Sequence, residues 1–323
     1  MSVQESVKAA GERSLPRLGA IFWVALAIYL ALVIGFAWNP TPLAQGLAAI
    51  GILAACAHAA LTYGRRDALA LLAICVAITF TMENIGAATG WPFGHYHFEV
   101  GPDLPHVGSI PIVVGPLWFG MGYFSWIVAS TLLGKEAHAS RRNELIALPI
   151  VAAFVMTQWD VVMDPPEATI SKAWIWHDGG AHFGVPLSNY LGWLLTAWLF
   201  YQAFALYLNR RRHVSERSAK QGRALKLAAI LLYLASGLTH VTPWLIGQSG
   251  EVVDAANHVW RVGDLRETTV VMLLFTMVFT SLLAMLRLAT DNTAQDIETS
   301  GVRNAKGDLG MTGLISRRAR RPA

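Results

Sequence analysis

Eight separate stretches of this chain are apolar for about 20 residues, the length of helix needed to cross the hydrocarbon core of a bilayer. They fall near residues 19–38, 43–63, 67–86, 110–133, 144–163, 186–208, 224–247 and 268–289. Lipid offers no partner to a backbone N–H or C=O, so each stretch satisfies its own backbone as a helix. The expected fold is an all-α polytopic integral membrane bundle of about eight transmembrane helices. Composition agrees: 54% of the 323 residues are hydrophobic and 14% charged, against roughly 25% charged in a soluble domain. That excludes a soluble globular protein, a disordered chain and a disulfide scaffold. The two cysteines, Cys56 and Cys75, lie in apolar runs and read as small buried hydrophobes.

Charge sets the expected orientation. With the N-terminus in the cytoplasm, 22 of the 25 Lys and Arg residues fall on the cytoplasmic side. Only Lys172, Arg261 and Arg266 fall on the other. The positive-inside rule then gives an even number of spans with both termini cytoplasmic. It also accounts for the pI near 9.2 as a matter of membrane topology, without nucleic acid as a partner. The first apolar run is longer than a signal-peptide core and no small-x-small cleavage site follows it, so it reads as a retained span. Residues 1–18 form a cytoplasmic segment and 19–290 the transmembrane domain. The polar, basic tail 291–323 is expected to be disordered or to lie on the lipid surface.

Unusual residues concentrate on the outer face. Three outer loops are long, near 87–109, 164–185 and 248–267, and carry His95, His97, His106, His177, His182 and His258. Nine of the twelve tryptophans lie at or near that face: Trp38, Trp91, Trp118, Trp159, Trp174, Trp176, Trp193, Trp244 and Trp260. An interfacial aromatic belt would be two-sided; this one is lopsided, which points to an aromatic pocket opening toward the outer leaflet.

Acids end two of the spans that reach it. Glu83 and Asn84 close the third; Asp160 and Asp164 close the fifth at i, i+4 spacing, on one helix face. Pro165–Pro166 is expected to stop that helix immediately after Asp164. In C-terminal turns the negative end of the helix dipole, burial and a like-charged neighbour disfavour the carboxylate form, and a general acid must keep its proton. The bland reading is a structural acid hydrogen-bonded to Asn, Trp or a loop amide. Intramembrane ionisable groups more often serve function. Asp178, Glu167 and Asp254 read as solvated loop acids. His240 reads equally as a cavity residue or a satisfied core histidine.

The two acid-bearing hairpins resemble one another, each running acid, aromatics, Phe-Gly, Pro, next span. Three chemistries compete for them. A di-iron oxygenase needs clustered histidine motifs that are absent, so no metal is expected. A prenyltransferase acting on a diphosphate would use Asp160-x₃-Asp164 with magnesium, but no second such motif occurs and the outer face has almost no Lys or Arg. The third is acid chemistry on an apolar polyene. A carboxylic acid protonates a terminal alkene, aromatic faces stabilise the tertiary cation, and water captures it or a proton is lost.

The residues that carry the third reading also carry a resemblance. Glu83-Asn84-Ile85-Gly86 with Thr89-Gly90-x-Pro92-Phe93-Gly94-x-Tyr96, then Pro111 and Trp118, form one block. Asp164-Pro165, Trp174-x-Trp176 and Phe183-Gly184-Val185-Pro186-Leu187-Ser188-Asn189-Tyr190-Leu191-Gly192-Trp193 form a longer one. Over about 80–290 the chain resembles the membrane carotenoid-biosynthesis family of CruF-type carotenoid 1′,2′-hydratases, which includes bisanhydrobacterioruberin hydratases. The resemblance implies addition of water to the terminal double bond of an acyclic carotenoid, with water as co-substrate and no cofactor. With the charge distribution and the outer-face acids and aromatics, the expectation is a multi-pass protein of the cell (inner) membrane whose site faces the outer leaflet. A carotenoid desaturase or glycosyltransferase would be its neighbour in biosynthesis; the particular carotenoid and the oligomeric state stay open.

The expected catalytic residues are Glu83, Asp160 and Asp164, with Asp164 or Glu83 as proton donor and Asp160 or Asn189 orienting water. The expected substrate-binding residues are Asn84, Trp91, His95, Tyr96, Trp118, Trp174, Trp176, Asn189 and Trp193. For His95 an ordinary loop hydrogen bond stands beside a carboxyl-orienting role. Two rivals remain: a cyclase or isomerase using the same cation, and a non-catalytic polyene or polyprenyl binding or transport protein.

Overall fold

The computed structural model describes residues 19–20, 22–33, 40–139, 142–211 and 222–290. It is a helical membrane bundle. The helices are α1 (Phe22–Val33), α2 (Pro40–Tyr63), α3 (Arg65–Thr89), α4 (Val114–Ala139), α5 (Asn143–Ile170), α6 (Leu187–Arg210), α7 (Arg223–Leu245, bent before a last short turn Val241–Leu245) and α8 (Val262–Thr290). Among the described residues seven are long and apolar enough to cross a membrane, α2 to α8. The first expected span is represented by the shorter α1. Residues 1–18, Trp38, Arg141, Arg212, Arg217, Lys220 and the tail 291–323 lie outside the described residues.

The central helix is α4, which packs on α2, α3, α5 and α7. It buries an aromatic column, with Trp118, Phe119, Tyr123, Phe124 and Trp126 all sealed from the surface. Helix α6 closes the ring by packing against α3 and α5. The large apolar side chains left outside, such as Leu187, Leu191, Phe154, Phe275 and Phe279, face outward, as lipid-facing surfaces require. Turns between spans are tight where they need to be: Gly64 alone separates α2 from α3, in a left-handed conformation (φ 81°) that glycine adopts without strain.

The two ends of the bundle are tied differently. At one, Asp67 at the start of α3 accepts hydrogen bonds from Tyr207 (2.7 Å) and Arg211 at the end of α6. At the other, the chain leaves α3 and α5 in long loops that pair as a two-stranded antiparallel sheet, β1 (Tyr96–Phe98) with β4 (Trp174–Trp176). The register sets Tyr96 opposite Trp176 and Phe98 opposite Trp174. Side chains alternate across a strand, so these four aromatics share one face. Two further hairpins lie within loops: β2 (His106–Val107) with β3 (Ile110–Pro111), and β5 (Glu251–Val253) with β6 (Val259–Arg261).

Two sequence expectations need correction. Helix α5 does not stop at Asp164: it continues through Pro165–Ile170 as a π-helical turn. Pro165 holds φ −57°, ψ −48°, compatible with a helix. What proline removes is its N–H, and the chain accommodates the loss by widening, with Ser171 N–H reaching Pro166 O at 3.0 Å in an i→i−5 bond. Asp160 and Asp164 therefore sit inside the helix, beyond the last turn to which the dipole effect is confined. The last helix also starts earlier than its apolar run, at Val262, so Arg266 lies buried within α8 and its Nε donates to Gln248 Oε1 at 3.0 Å.

Candidate functional site

The β1–β4 sheet lies across the loop ends of α3 and α5, with its aromatic face toward three carboxyl groups. Glu83, one and a half turns from the end of α3, is buried. Its Oε1 accepts the Trp118 indole N–H at 2.9 Å and its Oε2 accepts the Tyr96 hydroxyl. Asp164 Oδ1 accepts the Trp174 indole N–H at 2.5 Å. Asn189, near the start of α6, donates its one amide group to both aspartates: to Asp160 Oδ2 at 2.9 Å and to Asp164 Oδ2 at 2.5 Å. All three acids and Asn189 are buried.

Two polar atoms in this cluster have no protein partner, Asp160 Oδ1 and the Trp176 indole N–H. Trp176 borders Asp164 without reaching hydrogen-bond geometry. A buried polar group without a partner forfeits its hydration, so each of these atoms would gain from a partner outside the polypeptide.

Flat aromatic surface surrounds the acids. Trp118 stacks on Trp193 with ring centroids 3.8 Å apart and planes at 15°, and Trp159 leans on Trp193 at 5.9 Å. Tyr96 lies against Trp176 (4.9 Å) and Phe98 (5.6 Å). Phe93 wedges between α3 and α6. An added Cβ at Gly86 would fall 2.6 Å from its ring, and one at Gly192 would fall 2.5 Å away. Only glycine leaves room for the wedge, and the Phe93 carbonyl is tied to α6 by Ser188 Oγ at 2.8 Å.

Of the residues singled out from sequence, Glu83, Asp160, Asp164, Asn189, Tyr96, Trp118, Trp174, Trp176 and Trp193 come together here. Three do not. Asn84 points to the β2–β3 hairpin, donating to Phe80 O and Val107 O and accepting from Ser109 N–H. Trp91 is 58% exposed. His95 lies against Asp178, Nδ1 to Oδ2 at 2.9 Å, in an exposed contact away from the acids. His240 lies at the bend of α7, buried near Arg266. Glu167 occupies the π-helical turn of α5, half-buried and facing Arg266, so it is no solvated loop acid.

Asp254 likewise departs from its expected solvated state. It is buried and accepts four hydrogen bonds: Oδ1 from Ala256 N and His258 N, Oδ2 from His258 Nδ1 and the Trp260 indole. Burial raises its pKa, but these donors outweigh it and hold the carboxyl below its usual range. Phe183, which packs on Trp260 at 5.2 Å, joins this loop to the α5–α6 loop. Sequence reasoning also missed the Tyr190–His182 contact (2.6 Å), where burial lowers the imidazole pKa. Phe93 stood in the quoted motif, but its wedge role was signalled only by the two glycines flanking it in space.

The fold and the site define an integral membrane helical bundle holding buried acids beneath an aromatic roof. The chain belongs to the carotenoid biosynthesis protein family, whose model matches residues 43–256. Bisanhydrobacterioruberin hydratase of Haloarcula japonica is 31% identical over 134 residues, a match spanning 41% of this chain and 42% of that protein. No solved structure matches the chain significantly.

Proposed function

We propose that this protein adds water to the terminal 1′,2′ double bond of an acyclic carotenoid, through a tertiary carbocation and without a redox cofactor. The observation that carries the reading is the convergence of three buried carboxyl groups under stacked tryptophans. Proton transfer to an alkene needs an acid, and the cation that follows is stabilised by aromatic faces. Water then closes the reaction: one carboxylate takes its proton as the C–O bond forms. The Trp176 N–H, unpartnered beside Asp164, is a donor suited to the attacking water. The name of the Haloarcula relative supports hydration as the chemistry.

The proposal places the protein in the cell (inner) membrane with both termini cytoplasmic, following the Lys and Arg distribution. The acids then face the outer leaflet, and the substrate enters from lipid. A carotenoid desaturase supplies an acyclic end group of this type, and a glycosyltransferase could consume the tertiary alcohol.

The test is pigment analysis. The chain is expressed in a lycopene-accumulating host and the extract is examined by mass spectrometry. A product heavier by one water is expected. An isomeric product of unchanged mass would replace hydration with cyclisation or isomerisation. Unaltered pigment bound to folded protein, across acyclic carotenoid end groups, would leave a binding or transport protein.

A further inference from the structure

Resting on that hydration reading, the structure assigns the proton donor to Asp160, rather than to Asp164 or Glu83 as the sequence suggests. The three acids differ in how their carboxyl oxygens are engaged. Both oxygens of Glu83 are engaged, by Trp118 and Tyr96. Both oxygens of Asp164 are engaged, by Trp174 and Asn189. An indole or amide N–H can only donate, so Asp164 is arranged as a proton acceptor, and Glu83 is held by the Trp118 indole and the Tyr96 hydroxyl. Asp160 has one oxygen on Asn189 and the other, Oδ1, on nothing in the protein.

Asp160 and Asp164 also form a pair bridged by a single amide. Two buried carboxylates so close cannot both carry charge without large cost, so they share a proton. The proton belongs on the partner with fewer donors. Asp160 is sealed from the surface, so bulk water does not compete for its Oδ1.

The step balances. The Asp160 O–H bond breaks and a C–H bond forms with the alkene π electrons, leaving the cation on the terminal tertiary carbon. A lone pair of water makes the C–O bond, and the proton that water loses passes to Asp164. Transfer within the aspartate pair restores Asp160-H. One water is consumed and nothing is oxidised or reduced.

The test separates protonation from water addition by running membranes of the full chain with acyclic carotenoid in D₂O. Wild type is expected to place one non-exchangeable deuterium in the alcohol beside the carbinol carbon. Asp160→Asn is expected to lose at least about 100-fold in rate and to return the polyene without deuterium. Asp164→Asn is expected to return polyene that carries deuterium, with little alcohol, because protonation survives and water activation does not. Folding is read separately from the polyene absorption that co-purifies with each variant. If Asp160→Asn binds none, Asp160→Ser takes its place with the same expected loss. Deuterium incorporation at the wild-type rate in a folded Asp160 variant would overturn the assignment and leave hydration standing. A folded wild type that binds polyene yet neither hydrates it nor exchanges deuterium would overturn both.

Discussion

Trp118 and Trp193 lie face to face at 3.8 Å, and the same Trp118 ring donates its N–H to Glu83. One side chain thus fixes an acid with its edge and joins α4 to α6 with its face. The acid and the tryptophan stack cannot shift independently.

That coupling gives the first prediction. Trp118→Phe retains an aromatic ring but removes the donor to Glu83 Oε1. Leaving a buried acceptor unpaired costs about 1–3 kcal/mol, so the thermal midpoint of the detergent-solubilised protein should fall. Hydration, measured by alcohol yield, should fall further than stability does. Unchanged yield would separate Glu83 from the reaction.

Asn189→Leu removes the amide that bridges Asp160 and Asp164 while keeping the approximate volume. Both aspartates then lose their shared donor. We expect a loss of about 2–4 kcal/mol, typical of breaking a buried polar network, and no detectable alcohol. Asn189→Asp sets a third carboxyl against the Asp160–Asp164 pair, the fourth in the cluster, and should be worse at neutral pH than at pH 5, in both folding and yield.

Gly192→Ala drives a methyl into the Phe93 ring, 2.5 Å away. Overpacking of this kind costs about 1–3 kcal/mol. The double variant Gly192→Ala/Phe93→Leu should recover much of that stability, read as a thermal midpoint. Failure of the smaller side chain to rescue would show that the wedge is not the constraint.

Asp254 supplies a pH dependence with a definite sign. Its folded pKa lies below the usual aspartate value of ~3.9. Its contribution is therefore complete above the unfolded value and disappears as pH falls through the folded one. Amide hydrogen exchange at Ala256 and His258, corrected for intrinsic rates, should stay slow down to about pH 4 and accelerate below it. In Asp254→Asn that acceleration should vanish.

The span pattern was legible because lipid imposes a length on apolar runs that nothing else in the chain imitates. The pairing of Asp160 with Asp164 was legible for a similar reason, since i, i+4 spacing fixes a shared helix face. The roof was not. Strands of three residues, Tyr96–Phe98 and Trp174–Trp176, are too short to show a period, and they pair across a long stretch of intervening chain. Pro165–Pro166 misled because proline forbids a hydrogen bond rather than a helical dihedral. Asp254 looked solvated because its four donors come from its own loop, and two of them are backbone N–H groups that a sequence does not display. Asn84 stood beside Glu83 in the motif, yet one step along a helix turns a side chain by about 100°, away from the acids and onto a hairpin.

The order in which the acids and their donors occur along the chain has a consequence for biogenesis. Glu83 enters the bilayer 35 residues ahead of Trp118, and Asp164 enters 25 residues ahead of Asn189. At translation rates of about 5–20 residues per second, each carboxyl waits only seconds for its partner, which arrives on the very next helix. The protein is therefore suited to membrane integration as successive helical hairpins, each neutralising its own liability before the following pair emerges from the ribosome.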